Sequence, residues 1–381
     1  MAGRGDPQKP GPNDSDQGSE NEVPAVMPIE SIPDWEKRLA RQDAFWNLEI
    51  VDRPVVNIAF PKPRPERPWP KSKHAALRDR WMDAEYAAEM ALAAAANTEY
   101  AGDALPHAYP NLGPEVFSAF LGSELEFGEE TSWSIPFLKD WSDADKIHFS
   151  QDNVYWRKIV EITEAMLEAG KGVFYTGITD MHPGGDAIAA FRDPMQLNYD
   201  MVEAVDQVKS LLECVTEVCF QVYDFFYRKL SSAGQAICTW AGVVSTKRWL
   251  VPSNDFSCMV SPRMFEEVFL SSIAAECRHY EASLYHLDGP GALKHLDALL
   301  GIKELSAIQW VYGAGKGRAS DWLWVYQKCQ AAGKGLQINV DVDEIGFFTE
   351  NLRPEGVWLG VQGVRDREEA QEVVRTISAW R

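Results

Sequence analysis

Short apolar runs alternate with longer amphipathic stretches through this chain, most regularly from about residue 151 onward. A helix-period pattern over 154–170 leads into GVFYTGI (172–178), a run short enough, and tightly enough bounded by glycine, to be a strand. A long or broken helical region runs from Asp193-Pro194 to about residue 230, and QAICTWAGV (235–243) and NDFSCMV (254–260) follow it as strands. Ser261-Pro262 then opens a helix to about 280; in both pairs a capping side chain stands before a proline that suits the first helical position. ASLYHL (282–287), SAIQWVYG (306–313), GLQINV (335–340) and VWLGVQG (357–363) are each followed by a helical pattern, at 291–300, 320–332, 343–351 and 366–380. With PVVNIAF (54–60) the strand count reaches eight. Strands separated by helices argue a parallel sheet, and eight of them predict an α/β fold of the TIM-type (β/α)8 barrel kind.

The first 150 residues follow a different pattern. Residues 1–28 carry Gly, Pro, Asp and Ser with few apolar positions, and predict a disordered tail. Residues 29–381 then form a single domain, opening with a helical N-terminal extension over Ile29–Trp46. PKPRPERPWPKSKH (61–74) holds five prolines and must be an extended loop. Its basic residues, Arg64 and Arg67 among them, make either a solvated loop or an anion-binding flap. An Ala-rich helix spans 75–98, and the turn-rich segment 99–150 reads as an excursion capping the barrel mouth.

Charge narrows the function classes. Lys and Arg total 37 against 57 Asp and Glu, a net charge of −20, which repels phosphate backbones and argues against nucleic-acid binding. The six cysteines show no CxxC and no disulfide-framework spacing, as in a reduced cytoplasmic protein. No apolar run approaches the ~20 residues of a membrane span, and the N-terminus has no secretory h-region.

In a barrel of this kind the loops after the strands build the active site. His286 and Asp288 stand where ASLYHL ends and project to one side of an extended segment. They can bind a metal such as zinc, form a proton-transferring pair, or hold a structural turn. Asp255 opens NDFSCMV as either a functional carboxylate or a turn residue. His182 follows GVFYTGI, flanked by Asp180 and Asp186, and is a candidate acid or base, with one of the two carboxylates capping the next helix. Gln309, Gln337 and Gln362 each lie in one of the last three strands, where they line a polar substrate pocket or hydrogen-bond internally. Trp240 is a strand aromatic that could wall the pocket. GxSxG, HExxH and dinucleotide-type GxGxxG patterns are absent.

NDFSCMVSPRMFEEVF, YHLDGPGALKHLDALLGI, IQWVYGAG and GKGLQINV together resemble the uroporphyrinogen decarboxylase superfamily, which includes the decarboxylase and cobalamin-linked methyltransferases. The resemblance covers about residues 150–381 and implies a TIM barrel. In the zinc methyltransferases a His-x-Cys turn and a later Cys bind zinc. Here His286 matches the His, Asp288 stands at the Cys position, and the last strand offers Gln362. Oxygen ligands make such a site harder than thiolates do. The decarboxylase's arginine-rich segment after its first strand is replaced by NIAFPKPRPE, where Arg64 and Arg67 could partly substitute. The resemblance thus implies methyltransferase-like activity on a small-molecule substrate. Zinc or another divalent metal would sit on His286, Asp288 and Gln362, and a corrinoid would be brought by a partner protein, since no cobalamin-binding domain remains in this chain. Asp255 or His182 would handle a proton, Trp240, Gln309 and Gln337 would shape the pocket, and a homodimer is the family expectation. The competing readings are a metal-free decarboxylase of a polycarboxylate such as uroporphyrinogen, dependent on Arg64 or Arg67, and a non-catalytic small-molecule binder.

Overall fold

A computed structural model describes residues 24–381. The expected tail therefore lies mostly outside the described residues, but its last part is packed: the Met27 amide donates to the Gly234 carbonyl at 2.8 Å, and the Tyr175 hydroxyl donates to Met27.

The fold is mixed α/β with a mostly parallel central sheet. Val55–Pro61, Val357–Gln362, Gly335–Asp341, Ala307–Val311, Ala282–Asp288 and Trp249–Leu250 pair in that order, all parallel. Thr98–Gly102 adds an antiparallel edge beside Val55–Pro61. Three two-stranded ladders stand apart from this sheet, so the backbone pairing does not run continuously round a ring. Two of them include expected strands, much shortened: Tyr175–Thr176, paired in parallel with His107–Ala108, and Ile237–Cys238. The 99–150 segment thus contributes strands of its own besides the helix Val116–Phe120 and the hairpin Glu124–Phe127 with Ser132–Ile135.

One expected strand is not there. NDFSCMV forms a 3-10 turn, Asp255–Met259, and the strand in this region lies upstream at Trp249–Leu250. Both Asp186 carboxylate oxygens accept backbone N–H groups, from Asp255 at 3.1 Å and Phe256 at 2.8 Å, and this long-range cap folds the chain where local alternation favoured extension. The two Xaa-Pro caps form as their chemistry dictates. Asp193 accepts from the amides of Met195 and Gln196 ahead of the helix Pro194–Glu203, and Ser261 accepts from Met264 ahead of Pro262–Val268.

The N-terminal helix Trp35–Trp46 packs against the sheet through polar anchors. The Gln42 side chain accepts from the Val244 amide and the Trp358 indole, and donates to the Asp103 carbonyl. Asp103, fully buried, pairs with both Arg41 and Arg53 and accepts the Val56 amide. Four of the six cysteines are buried.

Candidate active site

The strand Ala282–Asp288 delivers His286 and Asp288 to its C-terminal end, where loops follow the parallel strands. Its His286 amide donates to the Pro252 carbonyl at 2.9 Å, and Ser253 forms an isolated bridge to His286. The next residues turn sharply under the Asp186 cap and bring Asp255 beside the strand. One ligand-type atom from each of Asp255, His286 and Asp288 lies within 4.8 Å of the others. A second such group, His182, Asp186 and Asp255, shares the Asp255 carboxylate.

The two groups differ chemically. In the second, His182 uses both ring nitrogens: Nε2 meets Asp180 at 2.9 Å and Nδ1 meets the Ser253 hydroxyl at 3.0 Å. Burial by itself disfavours the imidazolium, but Asp180 and then Asp186 outweigh it and hold His182 well above the ordinary histidine range. Both His182 nitrogens already have partners, and both Asp186 oxygens are engaged by the backbone of 255–256, so this group is the less open of the two. In the first group Asp255 is pushed up to about 6, by burial and then by repulsion from Asp186, with His286 and His182 opposing. One imidazole nitrogen and two carboxylates remain open to each other. Metal–ligand distances near about 2 Å place neighbouring ligand atoms roughly 3 Å apart, inside the 4.8 Å within which these three atoms lie. The donors fit a divalent cation, and their oxygen-rich character suits a harder one than a thiolate set would.

Below this cluster the strand register aligns His286 with Gln309 and Gln309 with Gln337. The Gln309 oxygen lies 2.5 Å from His286 Nδ1, the Gln309 amide donates to the Gln337 oxygen at 2.6 Å, and the Gln337 amide donates to the Ala241 carbonyl at 2.5 Å. Trp240 neighbours both histidines, edge-on to His286 at 5.1 Å and nearly parallel to His182 at 6.3 Å. Beside the cluster, a hollow of about 290 Å³ is lined by Tyr312, Asn339, Asp341 and Gln362 among others. Neither the two three-residue groups nor that lining includes a Lys or Arg.

The structure thus brings together His182, Trp240, Asp255, His286, Asp288, Gln309 and Gln337. Gln362 is kept apart: it pairs in register with Asp341, three strands from Asp288, on the order of 14 Å across the sheet at about 4.8 Å per strand. Arg64 is exposed on the proline loop, and Arg67 pairs there with Glu89 at 2.6 Å. Four contributors carry no sequence signal. Ser253 precedes the turn, and Tyr109 lies close enough to Asp180 that burial and its charge push the phenol up to about 12. Asn254, 3% exposed, has no partner for its amide. Glu276, 2% exposed, has no partner for Oε2; burial, then Asp186, pushes it up to about 8 against an opposing effect of His182.

No known family's sequence profile matches the chain, and no curated protein matches it in sequence. Among described residues no helix is long and apolar enough to cross a membrane. Among solved structures the fold is similar to that of a methyltransferase from Methanosarcina mazei, with a TM-score of 0.56 over 89% of this chain and 97% of that one, at 14% identity. At that identity the likeness establishes the fold, and the chemistry has to be argued from the site.

Proposed function

We propose that this protein is a methyltransferase-like enzyme acting on a small molecule, with a divalent metal such as zinc held by His286, Asp255 and Asp288. The observation that carries this reading is the convergence of one imidazole and two carboxylates at the C-terminal end of a parallel strand. The likeness in fold to a methyltransferase supports it. A divalent cation at that position would supply Lewis acidity to a bound substrate oxygen or sulfur.

The chain's own groups have distinct tasks. His182, whose imidazolium Asp180 and Asp186 favour, provides a fixed positive charge near Trp240. Trp240 neighbours both histidines and offers an apolar wall to a methyl group. The hollow beside Asp341 and Gln362 accommodates the rest of a small polar substrate. A corrinoid donor would arrive on a partner protein. A polycarboxylate substrate is disfavoured: Arg64 and Arg67 stand on the proline loop, and Arg318, which reaches Asp341 of the hollow, is already paired with Asp341 and Asp343.

The test is methyl transfer from a methylated corrinoid protein to a panel of thiol and hydroxyl acceptors, with and without added zinc. The reading predicts zinc-dependent transfer abolished in His286→Ala. Turnover independent of zinc and unchanged in His286→Ala would overturn it.

A further inference from the structure

We propose that Gln309 and Gln337 are positioning residues that lock His286 in one tautomer, with the proton on Nδ1 and the lone pair on Nε2. The assignment goes beyond the metal site itself and follows from a chain of hydrogen bonds that can run in only one direction. It starts at the Ala241 carbonyl, which can accept but never donate. The Gln337 side chain lies 2.5 Å from it and must present its NH2 group there, because the reverse orientation would press two carbonyl oxygens together. That leaves the Gln337 oxygen facing Gln309, which must present its own NH2 at 2.6 Å. The Gln309 oxygen then faces His286 Nδ1 at 2.5 Å, so Nδ1 must be the donor. Nε2 is the ring nitrogen whose lone pair is left for an electrophile such as a divalent cation.

Burial makes the lock rigid. Gln309 is 4% exposed and Gln337 is 1% exposed, so no bulk water is at hand to satisfy a flipped amide. The partners also lie in register on adjacent parallel strands, which fixes their spacing through the backbone. Gln337 thereby acts on the site through two intervening hydrogen bonds without lining it. Outer partners of this kind set which nitrogen of a histidine is available to a ligand.

The tautomer can be read directly by 15N NMR of histidine-labelled protein, treated with chelator, with His286 assigned by its loss in His286→Asn. The expected wild-type pattern for the neutral His286 ring, read at alkaline pH, is a protonated Nδ1 and an unprotonated Nε2. In Gln337→Met the anchor at Ala241 is gone, Gln309 is free to turn over, and His286 should shift to a mixture or to the Nε2–H form. The other histidines should not change, which separates tautomer control from a loss of packing. A wild-type His286 carrying its proton on Nε2 overturns the proposal, and that spectrum stands even where Gln337→Met fails to fold. An unchanged His286 pattern in folded Gln337→Met overturns it equally. Its link to function rests on the metal reading, so zinc titration forms a second arm: Gln337→Met should bind zinc about tenfold or more weakly than wild type. Wild-type protein that binds no zinc but shows the Nδ1–H tautomer supports the lock and removes the metal reading alone.

Discussion

Glu276 is a carboxyl group in a place where a charge has no support, and its replacement gives a stability effect with a defined pH dependence. The side chain is 2% exposed, Oε2 has no partner, and Asp186 repels any negative charge placed there. Its ordinary value of 4.5 is pushed up to about 8 in the folded protein. Between those two values the unfolded chain is ionised and the folded one still holds its proton, so each pH unit costs the native state about 1.4 kcal/mol. Stability contributed by this group is fully present below its unfolded value and is lost as pH rises to about 8. Glu276→Gln keeps the neutral shape and removes the titration. Relative to wild type, the variant should gain about 3 kcal/mol between pH 5 and pH 7 and on the order of 4 kcal/mol by pH 8. Any fixed cost of seating the amide shifts the whole curve without changing its slope. Urea unfolding of both proteins at several pH values between 4.5 and 8.5 measures the difference directly. Parallel curves would show that Glu276 is ionised in the native state, and would refute the reasoning.

Three further substitutions separate scaffold from site. Asp186→Ala leaves the Asp255 and Phe256 amides without their acceptor and should cost about 1–3 kcal/mol in chemical denaturation. The same variant removes one of the charges that keep His182 protonated, so its imidazole should titrate at lower pH by NMR; an unmoved titration would contradict the network described above. Asp103→Ala strands the buried guanidinium of Arg53, leaves Arg41 with Asp52 alone, and should destabilise by about 3–5 kcal/mol, with no change in the His286 spectrum. Arg64→Ala with Arg67→Ala should leave ligand binding at the site unchanged and shift stability by about 1 kcal/mol or less, since the one ion pair lost is at the surface; a large loss of binding would revive an anionic substrate.

The sequence reading succeeded where local pattern and chemistry coincide. His286 and Asp288 end a strong apolar strand before Gly-Pro-Gly, so both the element and its active end are legible from composition alone. Xaa-Pro helix starts are local for the same reason. The turn at Asp255 is different: FSCMV alternates like a strand, and what bends it is Asp186, about 70 residues earlier in the chain. Gln309 and Gln337 are visible as buried amides, but the direction of their hydrogen bonds depends on a carbonyl at Ala241, which no pattern of side chains reveals. Gln362 shows the limit of matching position to role: it stands in a strand of the parallel sheet, and the register of four neighbouring strands, absent from the sequence, sets it three strands from His286. Glu276 lies on an ordinary amphipathic helix, and only packing shows that it faces inward without a partner.

The central claim is that His286, Asp255 and Asp288 form a metal site. Metal content of the protein after zinc loading and buffer exchange tests it most directly, with wild type compared to His286→Ala and Asp288→Ala across pH. The account predicts about one bound zinc per chain in wild type, lost in both variants, and released from wild type at acid pH as protons compete with the metal for the imidazole and carboxylates. Wild-type protein that retains no divalent metal at neutral pH, or variants that retain it fully, would contradict the account.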